Sequence, residues 1–499
     1  MTGRDILRGD IGRRAFLKGA AAAAAAGAGL PLLSACSDSG SGDKKKLRVF
    51  TQTGPPIASA VTASAAEFKK KTGVTVELIT APFGQLYTKT LADFQTGGGS
   101  YDVVLAASSW LGDLHSFVED LTDKVKGDDS MQWDDVIYQG NAQWNGRQVA
   151  IPIDGDNQLC YYRRDILEDK GLSAKFQKEF GKPLAPPATW DDFMNIARFF
   201  GDGKYGVHGV VEAYRHGGQA FWYFASNCVA HVATPDLPGA MWFDPDTLDP
   251  LVNNPGHVRG MENYAEAVKY GPPGMINFDS NEVRQRFANG EAVLGIDWPD
   301  TPIIGELQKD SKVKGKIGSQ LLPGATEVYD YKKEDWVKQA KPNRPGWLAF
   351  GGWVGVVPKS ATDADTSYKF LSFLAGPEFS MKMVTRANSG MNPFRLSHFK
   401  NVDAWKKIGY PEQDLTSYLD SMRLSDTDPG AVRDLRLPGA ASFQDTTEVA
   451  AQQVVSGQKK AQDALDGLAD QWNQLNDRKG KDKQLKAYKE SLNTKVTAG

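Results

Sequence analysis

The stretch Ser280-Asn281-Glu282-Val283-Arg284-Gln285-Arg286-Phe287-Ala288-Asn289-Gly290-Glu291-Ala292-Val293-Leu294-Gly295-Ile296-Asp297-Trp298-Pro299 decides how the chain reads. Ser280 is read as an N-cap, and Val283 and Phe287 stand four residues apart on one helical face. Gly290 stops that helix, and the apolar run Ala292 to Ile296 predicts a buried strand. The strand delivers Asp297, Trp298 and Pro299 at its carboxyl end, the edge of an α/β sheet where ligands lie.

The same alternation recurs outward from that stretch. Toward the N-terminus, Leu47–Phe50, Val74–Ile79 and Tyr101–Ala106 read as strands. Helical segments around Val61, Ala65 and Phe68, and from Tyr87 to Gln95, separate them. Strand, helix, strand predicts a mostly parallel sheet flanked by helices. Gln148–Ile153 and Leu159–Tyr162 are two further strands, joined by the polar stretch Asp154-Gly155-Asp156-Asn157-Gln158. Thr189 is set to cap a helix from Trp190 to Phe200, and Asn254 with Pro255 to open another. Phe350 to Pro358 is a strand with a Gly-rich start, and beyond it the pattern is helical, ending with Ala464, Leu465, Leu468 and Trp472 on one stripe. A chain of 499 residues is too long for one core, so two α/β lobes are expected.

Several of these stretches, in this order, resemble the extracellular solute-binding proteins of ABC importers, in the maltose-binding-like carbohydrate group. They are Tyr101-Asp102-Val103-Val104, Ile151-Pro152 followed by Leu159 to Leu167, Thr189-Trp190-Asp191-Asp192-Phe193, Asn253-Asn254-Pro255, Phe287 to Trp298, and Ala461 to Leu465 with Trp472-Asn473. The resemblance implies the two-lobe periplasmic-binding-protein fold of class II type, with a helical C-terminal region and ligand between the lobes. It places lobe crossings near Pro152, Pro299 and Pro358. The N-terminal lobe would then comprise 47–152 and 299–358, and the C-terminal lobe 153–298 and 359–499. Extra length, compared with a small sugar binder, falls at 181–187, 230–250, 326–344 and after Arg395. The resemblance further implies a monomer that hands its ligand to membrane permease subunits.

The first 35 residues form an export signal. Gly12-Arg13-Arg14-Ala15-Phe16-Leu17-Lys18 is similar to the twin-arginine consensus, with Gly12 where Ser or Thr is usual, and an alanine-rich run follows. That run is too short to span a hydrocarbon core of about 30 Å. Leu33-Ser34-Ala35-Cys36 resembles a bacterial lipobox, which makes Cys36 the lipidated first residue of the mature protein. Ser37 to Lys46 reads as a flexible tether, and the expected location is the outer face of the cell membrane.

Sugars present C–H faces that aromatic rings cover and hydroxyl rims that charged side chains bind. Trp298 and Trp353, at strand ends, are candidates for lining the cleft or packing between lobes. Asp297 is a candidate hydroxyl acceptor, or a cap or salt-bridge partner. Trp110 is a third aromatic candidate, and Asp154, Asp156 and Asn157 sit at the first crossing, where a plain Asp-Gly turn is the alternative. Phe83 and Arg395 complete the set as weaker candidates, Arg395 reading first as a structural ion pair.

The whole chain carries a net charge of −3 and has no basic run with interleaved aromatics, so no nucleic-acid partner is expected. The six histidines form no metal motif, and Asp244, Asp246 and Asp249 read as a turn rather than a calcium loop. No catalytic residue, cofactor or metal is expected. The sequence leaves Cys160 and Cys228 as a disulfide or two thiols. Three functions compete: a carbohydrate receptor, a receptor for a cation such as a polyamine caged by acids and tryptophans, and a secreted carbohydrate hydrolase with two carboxylates across the cleft.

Overall fold

The computed structural model describes residues 46–493 apart from positions 55, 202, 238 and 240. Arg13, Arg14 and Cys36 lie outside the described residues. The described chain falls within one compact unit, Lys44–Gly499. Among the described residues no helix is long and apolar enough to cross a membrane.

Two sheets organise the unit. The first-lobe sheet contains β1 (Lys46–Gln52), β2 (Thr75–Ala81), β3 (Val103–Ala107) and β4 (Ile151–Pro152). The second-lobe sheet contains β5 (Leu159–Arg163), β6 (His208–Val211), β7 (Ala292–Asp297) and β8 (Ile317–Gln320). The strand β9 (Trp353–Val356) returns to the first-lobe sheet. In the first sheet β1 lies parallel to β2 and β3, while β9 runs antiparallel between β3 and β4. The second sheet is mixed: β5 is antiparallel to both β8 and β7, and only β6 and β7 are parallel.

The apolar runs become the strands they predict. β3 and β7 are buried along their whole length, which is why both read as continuous apolar runs. Thr189 closes a capping box with Asp192 at the helix Trp190–Phe200. Asn254 accepts the His257 N–H, with Pro255 at the first turn of Pro255–Ala267. The helix Ser280–Ala288 is capped one residue earlier than expected. Asp279, whose carboxylate accepts two backbone N–H groups, is the cap, and Ser280 instead donates to the Gln219 side chain. Cys160 and Cys228 are separate, buried, free thiols.

Two of the three expected crossings lie elsewhere. The first follows β4 and leads into β5. The chain does not leave the second lobe at Pro299, because Pro299 starts the helix Asp300–Leu307 and β8 then pairs with β5. Ile317 fills the space left by Gly305 on that helix, so residues 299–345 stay in the second lobe. The return is made by Trp347–Trp353. Nor does the chain leave the first lobe at Pro358. The helix Ala364–Ala375 packs on Ala58–Thr72, with the rings of Phe370 and Phe68 at 5.2 Å, and Leu371 covers Gly355 of β9. Only beyond the helix Leu396–Lys400 does the chain go back, and Glu412–Asp426 packs on β8.

Three chain segments therefore lie together between the sheets. Ile153 N–H donates to Trp353 O and Gln158 N–H to Trp347 O, both at 3.0 Å, so two crossings run side by side. Gly155 N–H donates to Asn392 O at 3.3 Å, which adds the segment around Asn392. Gly352 (φ +80°) is required here, since a Cβ would stand 2.2 Å from Asp154 O.

Candidate functional site

A cavity of about 300 Å³ lies between the two sheets, beside these crossings. The first lobe lines it with Gln52 and Thr53 at the end of β1, Phe83 just beyond β2, and Trp353 at the start of β9. The second lobe contributes Arg215, Gln219, Asp279, Arg284, Trp298 and Asp300. Asp154, Asp156 and Phe350 come from the crossings. The cavity thus sits at carboxyl ends of strands in both sheets, where side chains from many segments converge.

Its aromatic wall is continuous. The ring of Phe83 lies 5.9 Å from Phe350, 6.2 Å from Trp353 and 6.1 Å from Trp222. Trp222 in turn meets Trp298 at 5.9 Å. The indole N–H of Trp298 donates to Ala349 O at 3.2 Å, which fixes that ring against the second crossing. Phe350 is held at φ 68°, a backbone region that a bulky residue seldom adopts. Its conformation is pinned by Ser108, which donates to Phe350 O at 3.0 Å, and by Asn141, which donates to Gly351 O at 2.8 Å. Backbone strain of this kind gathers where a site demands a particular side-chain position.

The polar wall is built around Arg284. Its guanidinium meets Asp297 at 2.8 Å and Asp300 at 3.2 Å, and stands 5.9 Å from the Trp298 ring. Burial works against the Arg284 cation, but Asp297 and Asp300 hold its pKa above the usual range. Asp297 also accepts from the Tyr223 and Thr301 hydroxyls, each at 2.6 Å. Burial still leaves the Asp297 carboxyl above its ordinary range. Asp154 and Asp156 are 1% and 4% exposed. Burial pushes Asp154 up to about 7. Burial and then the neighbouring Asp154 raise Asp156 well above the carboxylate range. The Asn392 N–H donates to Asp154, and the Asn392 amide reaches toward Asp156 and Asp300 at 3.4 and 3.5 Å.

Of the residues singled out from sequence, Trp298, Trp353, Phe83, Asp154 and Asp156 lie on the cavity wall. The other four do not. Trp110, 2% exposed, packs behind Phe83 with ring centroids at 5.8 Å. Asn157 turns away to donate to Asp426 at 2.6 Å. Asp297 is fully buried behind Arg284, as a salt-bridge partner. Arg395 is fully buried too: it pairs with Asp135 at 3.2 Å and donates to the carbonyls of Ala375 and Met131, both at 2.8 Å. Its role in this structure is to tie chain segments together.

Sequence reasoning missed Arg284, Asp300, Phe350, Gln219 and Arg215. Arg284 follows Val283 on a helix whose apolar face was legible, and Asp300 follows Pro299 directly. Phe350 had only the adjacent glycines as a signal. None of the described residues of the long loops at 181–187, 230–250 or 326–344 lines the cavity. The hairpin Ala325–Asp330 with Asp335–Asn343 packs instead against the helix Ala220–Val232.

The family model for bacterial extracellular solute-binding proteins matches residues 54–380, which take in every strand of the two sheets except β1 and most of the cavity lining. The chain belongs to that family. A solute-binding relative in Sinorhizobium fredii, described as a probable amino-acid ABC transporter periplasmic-binding protein, is 23% identical over 410 residues, 79% of this chain and 84% of the relative. The maltooligosaccharide ABC transporter solute-binding lipoprotein of Streptococcus pneumoniae is 26% identical over 393 residues, 75% of this chain and 80% of the relative. Among solved solute-binding proteins, one from Agrobacterium radiobacter in complex with ribitol superposes with a TM-score of 0.69 at 23% identity, covering 87% of this chain and 99% of that one.

Proposed function

We propose that the protein is the extracellular receptor of an ABC importer, that it binds a carbohydrate between its lobes, and that it delivers it to membrane permease subunits. The observation that carries this reading is the cavity itself. A ring of Phe83, Phe350, Trp353 and Trp298 offers faces for sugar C–H groups, and Arg284, Asp300, Asp154, Asp156, Gln52 and Gln219 offer partners for hydroxyls. The relatives named for maltooligosaccharide and crystallised with ribitol support a hydroxylated ligand. At about 300 Å³ the cavity stands at the small end of ligand pockets, which favours an alditol or one to two sugar rings over a long oligosaccharide. Ligand bridging the two walls would favour the closed arrangement of the lobes over the open one.

Export by the twin-arginine route and a lipid on Cys36 complete the reading, on the strength of the N-terminal motif alone. A lipid-held monomer would keep its ligand near the permease, and it would perform no chemistry. The test is a thermal-shift screen of the Cys36→Ser protein against monosaccharides, disaccharides, alditols and amino acids. A saccharide or alditol should raise the melting temperature in proportion to the logarithm of its concentration. A shift with amino acids alone, or turnover of a chromogenic glycoside, would overturn the proposal.

A further inference from the structure

The charges around the cavity do not balance. Four carboxyls, Asp154, Asp156, Asp297 and Asp300, are gathered about one guanidinium, and Arg284 already gives its contacts to Asp297 and Asp300. The other cation on the wall, Arg215, is paired at the rim with Asp279 and with Glu282. Asp154 and Asp156 lie within hydrogen-bonding reach of each other. One oxygen of Asp154 accepts the Asn392 N–H, while Oδ2 is buried without a hydrogen bond of ordinary geometry, the Trp353 backbone N–H being the further donor that faces this carboxyl. The further groups facing the pair bring no positive charge. Tyr138 donates to Asp426, Asp426 also accepts from Asn157, and the buried Tyr418 hydroxyl has no partner. Two adjacent buried carboxylates do not both ionise without compensation, so this pair holds either a proton or a cation.

We propose that the natural ligand carries an ammonium group among its hydroxyls, as in an amino sugar, amino-alditol or aminocyclitol, and that this group replaces the proton held between Asp154 and Asp156. The inference rests on the reading of the cavity as a carbohydrate site. The exchange is balanced: the ammonium enters with its charge, the pair gives up one proton to solvent, and the net charge of the cavity is unchanged. The aromatic faces of Trp298, Trp353 and Phe350 beside the acids favour a cation as well as C–H groups. A neutral polyol can donate a hydroxyl to the Asp154 oxygen, but it brings no charge to the pair and leaves the proton in place.

Titration calorimetry of the Cys36→Ser protein tests this with matched probes: glucosamine against glucose, glucamine against glucitol, and chitosan disaccharide against cellobiose. The amine of the best pair should bind at least about tenfold tighter than its neutral partner at pH 7.5, a difference of roughly 1.4 kcal/mol. Repeating the titration in buffers of different ionisation heat should show close to one proton released near pH 6. Affinity for the amine should fall about tenfold per pH unit below that point. Asp154→Asn should abolish both the preference and the proton release; the proton count on the unaltered pair stands even if that variant folds poorly. Equal affinity for a neutral partner without proton release would overturn the inference and leave the carbohydrate reading intact. Binding of spermidine in preference to every hydroxylated probe, or no binding by any probe, would overturn both.

Discussion

The two lobes treat these buried carboxyls in opposite ways. In the first lobe Asp102, 1% exposed, is met by the Arg48 guanidinium at 2.9 Å and by the Arg48 backbone N–H at 2.8 Å. Burial pushes its pKa up, yet these contacts and the Thr362 N–H bring it below the ordinary value. The cavity wall of this lobe carries no charge: Gln52, Thr53, Phe83 and Trp353. For six buried carboxyls of the second lobe and the crossings, burial wins. Asp154, Asp426, Asp434 and Glu448 are pushed up to about 7, and Glu212 and Glu306 to about 8. A lobe that settles its charges internally offers rings; a lobe that does not offers polar partners. Such a division suits a ligand with apolar faces and a polar rim.

The sharpest way to break this comparison is to remove the one cation on which the second wall depends. Arg284→Met should destabilise the protein by about 3–5 kcal/mol in denaturant unfolding, because Asp297 and Asp300 are left buried without a partner. A loss under about 1 kcal/mol would mean that these acids are already neutral. Next in size is the response to pH. A carboxyl raised in the folded state keeps a proton that the unfolded chain releases, so its contribution to stability falls as pH rises from the unfolded value to the folded one. From pH 6.5 to 8 the six raised acids act in one direction, each costing roughly 1 kcal/mol per pH unit while it remains protonated. The buried His231 and His257, lowered by burial to about 3 and 4, oppose this only below about pH 6.5, where unfolded histidine begins to charge. Melting temperature should therefore be lower at pH 8 than at pH 6.5, and a flat or rising profile would contradict the burial argument. Asp102, being lowered, adds stability that is lost only at acid pH, as pH falls below the ordinary carboxylate range.

Single rings give smaller effects. Trp353→Ala on the first wall should weaken saccharide binding by about 1–2 kcal/mol in calorimetry, with the fold retained. Wild-type affinity in that variant would remove the first lobe from the site. The smallest change is expected of Phe83→Ala. Phe83 is half-buried and its ring reaches Trp222 of the second lobe, so its loss should raise the radius of gyration of the unliganded protein in solution scattering. An unchanged radius would show that this contact does not hold the lobes together.

The architecture was legible because it is written in local signals. The apolar runs of β3 and β7, the capping box at Thr189, and the Asn254-Pro255 helix start each act within a few residues. The second and third crossings were not legible, because a proline after a strand fits a helix start as well as a change of lobe. What keeps 299–345 in the second lobe is the pairing of Ile317–Gln320 with Cys160–Arg163, a contact between segments far apart in sequence. The same holds for the site. Asp297 stood beside Trp298 in sequence, yet Asp297 ends β7 held by Arg284, Tyr223 and Thr301, and only Trp298, just past the strand, reaches the cavity.

By itself, then, the sequence determined the strands, the helices and their caps, the order of family motifs, and the tryptophan at the end of β7, since periodicity and capping depend on near neighbours. Only the tertiary structure decided which acids meet. Asp154, Asp156, Arg284, Asp300 and Asn392 come from four separate stretches of chain, and their charge states follow from burial and mutual distance, which no single stretch encodes.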